Sequence, residues 1–329
     1  MSTKKEAYLF LSAMLRSREP RLLNREKCER MLDAAGFEEA AKLLTECGYP
    51  DMSEMNVQEI EKALGQHRFE VLAELDRITP DKEIPAVFKM KYDCHNLKAL
   101  IKAEAAGVDA ADTLSDAGRF SPKAITDIYT EGAFRELPPV LAEAAAEAKA
   151  VLARTGNPQL SDFVLDKAYF AEMEQAAAKV GNKFFSDYTA LLTDSANLRA
   201  AVRTLRMGKG EEFMRLALAR GGKIDIAVLT SGDKDAIAVA FAHTPLERAA
   251  VLGMSAVEGG TLTAFERECD NAVTAFLKNA RLVAYGPETV VAYIAAVENE
   301  LTAIRMILTG RLSGIAPDVI KERLRELYA

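Results

Sequence analysis

Asp93-Cys94-His95-Asn96-Leu97-Lys98-Ala99-Leu100-Ile101-Lys102 is the first of three segments that read as copies of one helix. The second holds Asp194, Asn197, Leu198, Arg199, Ala201, Val202 and Arg203; the third holds Glu300, Ala303, Ile304, Arg305, Ile307, Leu308 and Thr309. The acids stand 101 and 106 residues apart. That is too far for a solenoid repeat of about 20 to 50 residues and suits a small domain. The spacing predicts three similar domains in a pseudo-threefold arrangement, divided near 1–107, 108–208 and 209–329.

At about 100° per residue, each copy gathers its acid, the third residue after it and its apolar residues into an arc of roughly 140°. Burying Asp or Asn on such an arc costs on the order of 1 to 3 kcal/mol unless its groups are hydrogen-bonded. Asp93 and Asp194 therefore need partners. Either they tie their helices to neighbouring elements, or they line a surface that meets another protein. Lys98, Arg199 and Arg305 fall outside the arc, where they make either a positive collar around a common axis or a solvated exterior.

Glycines follow each copy: Gly107, then Gly208 and Gly210, then Gly310 and Gly314. Glycine is suited to the left-handed conformation that ends a helix. A second landmark follows the first two copies, Gly118-Arg119-Phe120 and Gly221-Gly222-Lys223. The third copy leaves no room for one before the sequence stops, and Ala35-Gly36-Phe37 offers a counterpart near the N-terminus. The N-terminal piece is therefore expected to complete the architecture that the C-terminal copy leaves open.

Composition fixes the class. Helix formers fill windows such as Val140–Arg154 and Phe170–Val180, and alternating β-branched runs are scarce, so the fold is expected to be all-α. Prolines 80, 85, 138, 139, 158, 245 and 287 sit mostly where helices start or stop. A net charge of −7 argues against general nucleic-acid binding, which needs a basic face. The arginines of an N-terminal helix, Arg16, Arg18, Arg21, Arg25 and Arg30 with Lys27, remain either a local basic patch or a solvated face.

Catalytic chemistry finds little footing. The four cysteines form no CxxC pair and the three histidines no HExxH, which fits reduced thiols and no metal. Gly208-Lys209-Gly210 and Gly222-Lys223 lack the frame of a phosphate loop, and Gly253-Met254-Ser255-Ala256-Val257 lacks the last glycine of a nucleophile elbow. No cofactor is expected. Met1–Glu6 is polar rather than a signal sequence, and the Val290–Val297 apolar run is too short to cross a bilayer.

DxxNLK at Asp93–Lys98, DxxNLR at Asp194–Arg199, the two glycine turns, the Arg- and Leu-rich opening Tyr8–Leu23 and the closing Glu298–Arg311 helix, in this order, resemble the C subunit of the V-type (archaeal and bacterial A/V-type) ATPases, whose eukaryotic counterpart is the d subunit. The resemblance spans essentially the whole chain and departs at Ala303, where the first two copies have asparagine. It implies a funnel of three helical domains seated on the membrane rotor ring, its hollow face receiving the central shaft made by the D and F subunits. Such a socket transmits torque in ATP-driven or ATP-synthesising ion transport, catalyses nothing itself, and lies peripherally on the cytoplasmic face of the membrane. Asp93, Asn96, Lys98, Asp194, Asn197, Arg199, Glu300, Arg305, Arg16 and Arg18 are the candidate interface or inter-helix residues. The competing classes are an unrelated cytosolic helical adaptor and a helical enzyme with a closed pocket of shifted titratable groups.

Overall fold

The computed structural model describes residues 2–329, with side chains from Glu6 onward. Its helices are α1 (Ser2–Arg18), α2 (Arg25–Asp33), α3 (Phe37–Lys42), α4 (Val57–Ile78), α5 (Glu83–Ala106), α6 (Pro122–Thr130), α7 (Pro139–Thr155), α8 (Pro158–Val180), α9 (Lys183–Arg206), α10 (Glu211–Ala217), α11 (Ile226–Ser231), α12 (Lys234–Phe241), α13 (Glu247–Val257), α14 (Leu262–Lys278), α15 (Pro287–Leu312) and α16 (Pro317–Arg323). Among the described residues there is no β-strand. The expectation of an all-α protein holds.

Local sequence explains where these helices begin. Pro122, Pro139, Pro158, Pro287 and Pro317 each open a helix, where the missing N–H has no partner to lose. Asn24, Asn56, Ser121, Asn182 and Asp225 cap others through their side chains, and Asn56 with Glu59 forms a full capping box. The single N-terminal helix expected from Arg16 to Arg30 is in fact broken: α1 stops at Arg18, Glu19-Pro20-Arg21 form one 3₁₀ turn, and α2 starts anew at Arg25. Pro20 cannot donate the backbone hydrogen bond that a continuing helix needs there.

Two compact units result. Met1–Lys82 with Thr263–Ala329 form one, and Glu83–Leu262 form the other. In the first unit α15 packs against α1, α2, α3 and α4. Every residue from Val290 to Val297 is buried, which is why this run is apolar around the whole helix circumference and not on one stripe. In the second unit α5 packs against α6, α7 and α8, and α9 against α8, α10, α11 and α13. Leu97, Leu100 and Ile101 of α5 share a core with Ile125, Leu141, Ala145, Ala148 and Leu165.

The copies of the repeat helix are thus α5, α9 and α15, and they end alike. Gly107, Gly208 and Gly314, each fourteen positions after the acid, have φ of 68°, 64° and 70°. The next residue donates its N–H to the carbonyl five positions back: Val108 to Ala103, Lys209 to Thr204 and Ile315 to Gly310, at 3.0, 3.1 and 2.9 Å. This is the Schellman closure of a helix by a left-handed residue. Gly310 itself lies inside α15, not at its end, and leaves room for Ile320 of α16.

Candidate functional site: a clasp made three times

Asp93 is fully buried in α5, and its carboxylate takes hold of the turn that precedes α6. Arg119 N–H and Phe120 N–H donate to Oδ1 at 2.8 and 3.3 Å, and Arg119 Nε donates to Oδ2 at 2.5 Å. The same guanidinium reaches Glu172 of α8 at 3.2 and 2.9 Å. Burial still holds the Asp93 carboxyl above the usual aspartate range, against the pull of Arg119. Gly118 makes this approach possible, since a Cβ there would collide with Asp93 Oδ1.

Asp194 repeats the arrangement in α9. Lys223 N–H and Ile224 N–H, in the turn before α11, donate to Oδ2 and Oδ1 at 2.9 and 3.1 Å. A Cβ on Gly222 would collide with Asp194 Oδ1 in the same way. The Lys223 ammonium turns outward to Asp187 at 2.7 Å, so its charge favours the Asp194 carboxylate from a distance and without the direct ion pair that Arg119 makes with Asp93. Burial raises the Asp194 carboxyl against its two backbone donors.

Glu300 completes the set in α15, and its partner comes from the other end of the chain. Leu23 N–H, immediately before the Asn24 cap of α2, donates to Oε1 at 2.7 Å. Leu23 therefore occupies the place of Phe120 and Ile224, and the third landmark is Leu22-Leu23 and not Ala35-Gly36-Phe37, where Gly36 instead opens α3. By the same alignment Arg21 stands where Gly118 and Gly222 stand. Glutamate spans the gap with one more methylene than aspartate, so this backbone has no need of the close approach that glycine permits.

The asparagines follow the same logic. Asn96 clasps Ser115 through both backbone groups at 2.8 and 2.9 Å, and Asn197 clasps Ala219 the same way, at 2.8 Å in each direction. Each partner lies five residues before the residue that meets the acid. For α15 that position is Arg18, the last residue of α1, whose N–H is already committed to its helix. An amide at position 303 would find no free backbone pair there, and Ala303 is buried in its place.

The basic residues of the three copies are placed differently. Lys98 binds Asp166 of α8 at 2.6 Å and Arg305 binds Glu61 of α4 at 2.5 Å, while Arg199 donates to Ser195 Oγ at 3.2 Å within α9. Arg16 bridges Glu19, Tyr328 and the carbonyls of Ala280 and Val283, and Arg18 makes a two-point pair with Glu74 at 2.7 and 2.8 Å. Glu172 and Tyr49 carry no repeat signal and escape sequence reasoning. The Leu23 turn had one, an apolar residue followed by a helix-capping residue, shared by Phe120-Ser121, Ile224-Asp225 and Leu23-Asn24.

Fold and clasps together define an all-helical protein in which buried acids on three long helices hold neighbouring backbone. Residues 11–323 match the family model described as ATP synthase (C/AC39) subunit, and the chain belongs to that family. It is 23% identical to the C subunit of the V-type sodium ATPase of Enterococcus hirae, over 98% of this chain and 99% of that one. It is 26% identical to the C subunit of the V-type ATP synthase of Thermus thermophilus over 92% and 93% of the two chains, and 24% identical to the C subunit of the A-type ATP synthase of Methanosarcina mazei over 96% and 92%. The family is a structural, non-catalytic component of the V/A-type ATPase complex. Among the described residues no helix is long and apolar enough to cross a membrane.

Proposed function

We propose that this chain is the socket of a rotary ATPase, seated on the membrane rotor ring at the cytoplasmic face and receiving the end of the shaft made by the D and F subunits. In this reading it turns with the rotor and carries torque during ion transport coupled to ATP hydrolysis or synthesis. The observation that carries the reading is the thrice-made clasp in a member of the C/AC39 family: three like modules, each headed by a repeat helix and closed by a buried acid, suit a pseudo-threefold funnel. The repeat helices head modules that run forward from Glu83 and Lys183, and from Pro287 on through the N-terminal helices. A body that couples a ring of many copies to one shaft must resist twisting, and buried carboxylate-to-backbone bonds resist it better than exposed ion pairs do. Torque is then borne by many contacts spread over area.

The test is co-purification of the tagged chain from its native membranes after mild detergent extraction, with bound proteins identified by mass. Recovery of ring and shaft proteins is expected; recovery of the chain alone, or with unrelated soluble proteins, returns it to the helical adaptors. The collar is tested separately. Lys98 is bound to Asp166, so Lys98→Gln is a cleaner probe than a charge reversal, and a modest loss of affinity for a D–F complex is the expected result. Unchanged affinity removes Lys98 from the interface.

A further inference from the structure

The three clasps are graded. Asp93 accepts from two backbone N–H groups and a guanidinium, Asp194 from two backbone N–H groups, and Glu300 from the Leu23 N–H. Yet Glu300 is only 3% exposed, on the most thoroughly buried helix of its unit. An ionised carboxylate in such a place is costly unless several donors or a cation compensate it.

The groups around it supply only part of that compensation. From α2 come Lys27, whose ammonium is spent on the carbonyls of Arg21 and Leu22 at 3.3 and 3.1 Å, and the thiol of Cys28. Cys47 and Tyr49 face it from the segment after α3, and Tyr293 from α15 itself. Arg18 of α1 is held by Glu74 of α4, and on α4 Glu61 binds Arg305 and Arg68 binds Glu298. His67, tilted against Tyr49 with ring centroids 4.7 Å apart, is kept toward its neutral form by burial. The Tyr49 hydroxyl is buried close enough to the carboxyl to interact with it but makes no hydrogen bond of ordinary geometry.

We propose that the third clasp is held by a proton: neutral Glu300 accepts the Leu23 N–H on one oxygen and donates through the other to the Tyr49 hydroxyl, and loss of that proton to water loosens the segment between Arg18 and Asn24 from α15. The protonated form offers the Tyr49 hydroxyl a donor and leaves no buried charge. Burial pushes the carboxyl up to about 7 from 4.5, outweighing the opposing pull of the Leu23 N–H, the Tyr49 hydroxyl and the Lys27 charge. The folded-state value therefore lies above the unfolded one. The closed clasp gains stability as pH falls from about 7 toward 4.5, and that gain is absent above 7.

Amide hydrogen exchange on the full chain, corrected for the intrinsic rate, reads the clasp directly. The linkage predicts a Leu23 protection factor about tenfold lower at pH 8 than at pH 6, with Phe120 and Ile224 unchanged. Glu300→Gln, which keeps an acceptor and a donor, should flatten the Leu23 profile; equal Leu23 protection at both pH values in the wild type, or the same fall in Glu300→Gln, overturns the proposal. Should that variant not fold, the carboxyl ¹³C titration of the wild-type chain decides, a midpoint near 7 supporting and one in the ordinary glutamate range refuting. Tyr49→Phe tests the acceptor: a midpoint moved down fits a hydroxyl that receives the proton, and one moved up shows that it donates instead.

Discussion

Gly118 and Asp93 were each visible in the sequence, but only the structure shows why they belong together, since the missing Cβ is what lets the carboxylate reach two amides at once. Gly118→Ala is expected to cost about 2 kcal/mol or more, because a carboxylate locked by three donors cannot swing aside. Gly36→Ala, in extended backbone with nothing within 4 Å of the added atom, should leave the urea midpoint close to wild type. The graded donors make a second prediction. Asp93→Asn leaves the Arg119 guanidinium paired with Glu172 alone and should cost about 3 kcal/mol, while Asp194→Asn loses charge-assisted bonds to backbone alone and should cost about 1 to 2 kcal/mol; equal losses in chemical denaturation would contradict the different roles of the two turns. The third acid was harder to read, because glutamate's extra methylene removes the need for the glycine that flagged the other two. Its partner lies 277 residues away, where no local spacing points to it.

Helices were the most legible level, since composition and proline placement announce them without tertiary knowledge. The break at Pro20 was missed because the basic residues on either side continue a plausible helical face. Alanine, which sequence reasoning counts simply as a helix former, does something more specific where α7 meets α8. Ala144, Ala145, Ala148 and Ala168 belong to the core that these helices share with α5 and α6, and Ser161 Oγ donates to the Ala148 carbonyl at 2.9 Å, so the α7 and α8 backbones lie close there. Ala148→Leu should therefore push the helices apart and cost about 1 to 3 kcal/mol, whereas Ala146→Leu, at an exposed position of the same helix, should be nearly neutral in the same thermal melt. Lys98 and Arg305 were read as pointing off the buried arc, but pattern alone could not place Asp166 or Glu61 beside them.

At the scale of the molecule, the near-equal spacing of the acids suggests a recurring unit, and the compact unit that holds α15 is assembled from both ends of the sequence. A chain lacking residues 2–24 loses α1, the Leu23 donor and the cover of α15. Unit one should then fail to fold while Glu83–Leu262 retains its own cooperative melt; loss of both transitions would mean that the second unit depends on the first. The sequence could suggest that the N-terminal piece finishes what the C-terminal copy begins, because the copy lacked its downstream turn. It could not supply the register, which is set by a single backbone amide.

This shared unit also orders events on the ribosome. Met1–Lys82 emerges first, yet α15, the helix on which α1 to α4 pack, is made only after the 180 residues of Glu83–Leu262 have been translated. At typical elongation rates that interval is on the order of ten seconds or more, time enough for the inner unit to fold while the leading segment waits with its apolar faces uncovered. A nascent chain halted before Thr263 would keep a folded middle and an unfinished beginning. Closure of the Leu23–Glu300 bond thus waits for α15 and marks, in one hydrogen bond, a polypeptide made as far as that helix.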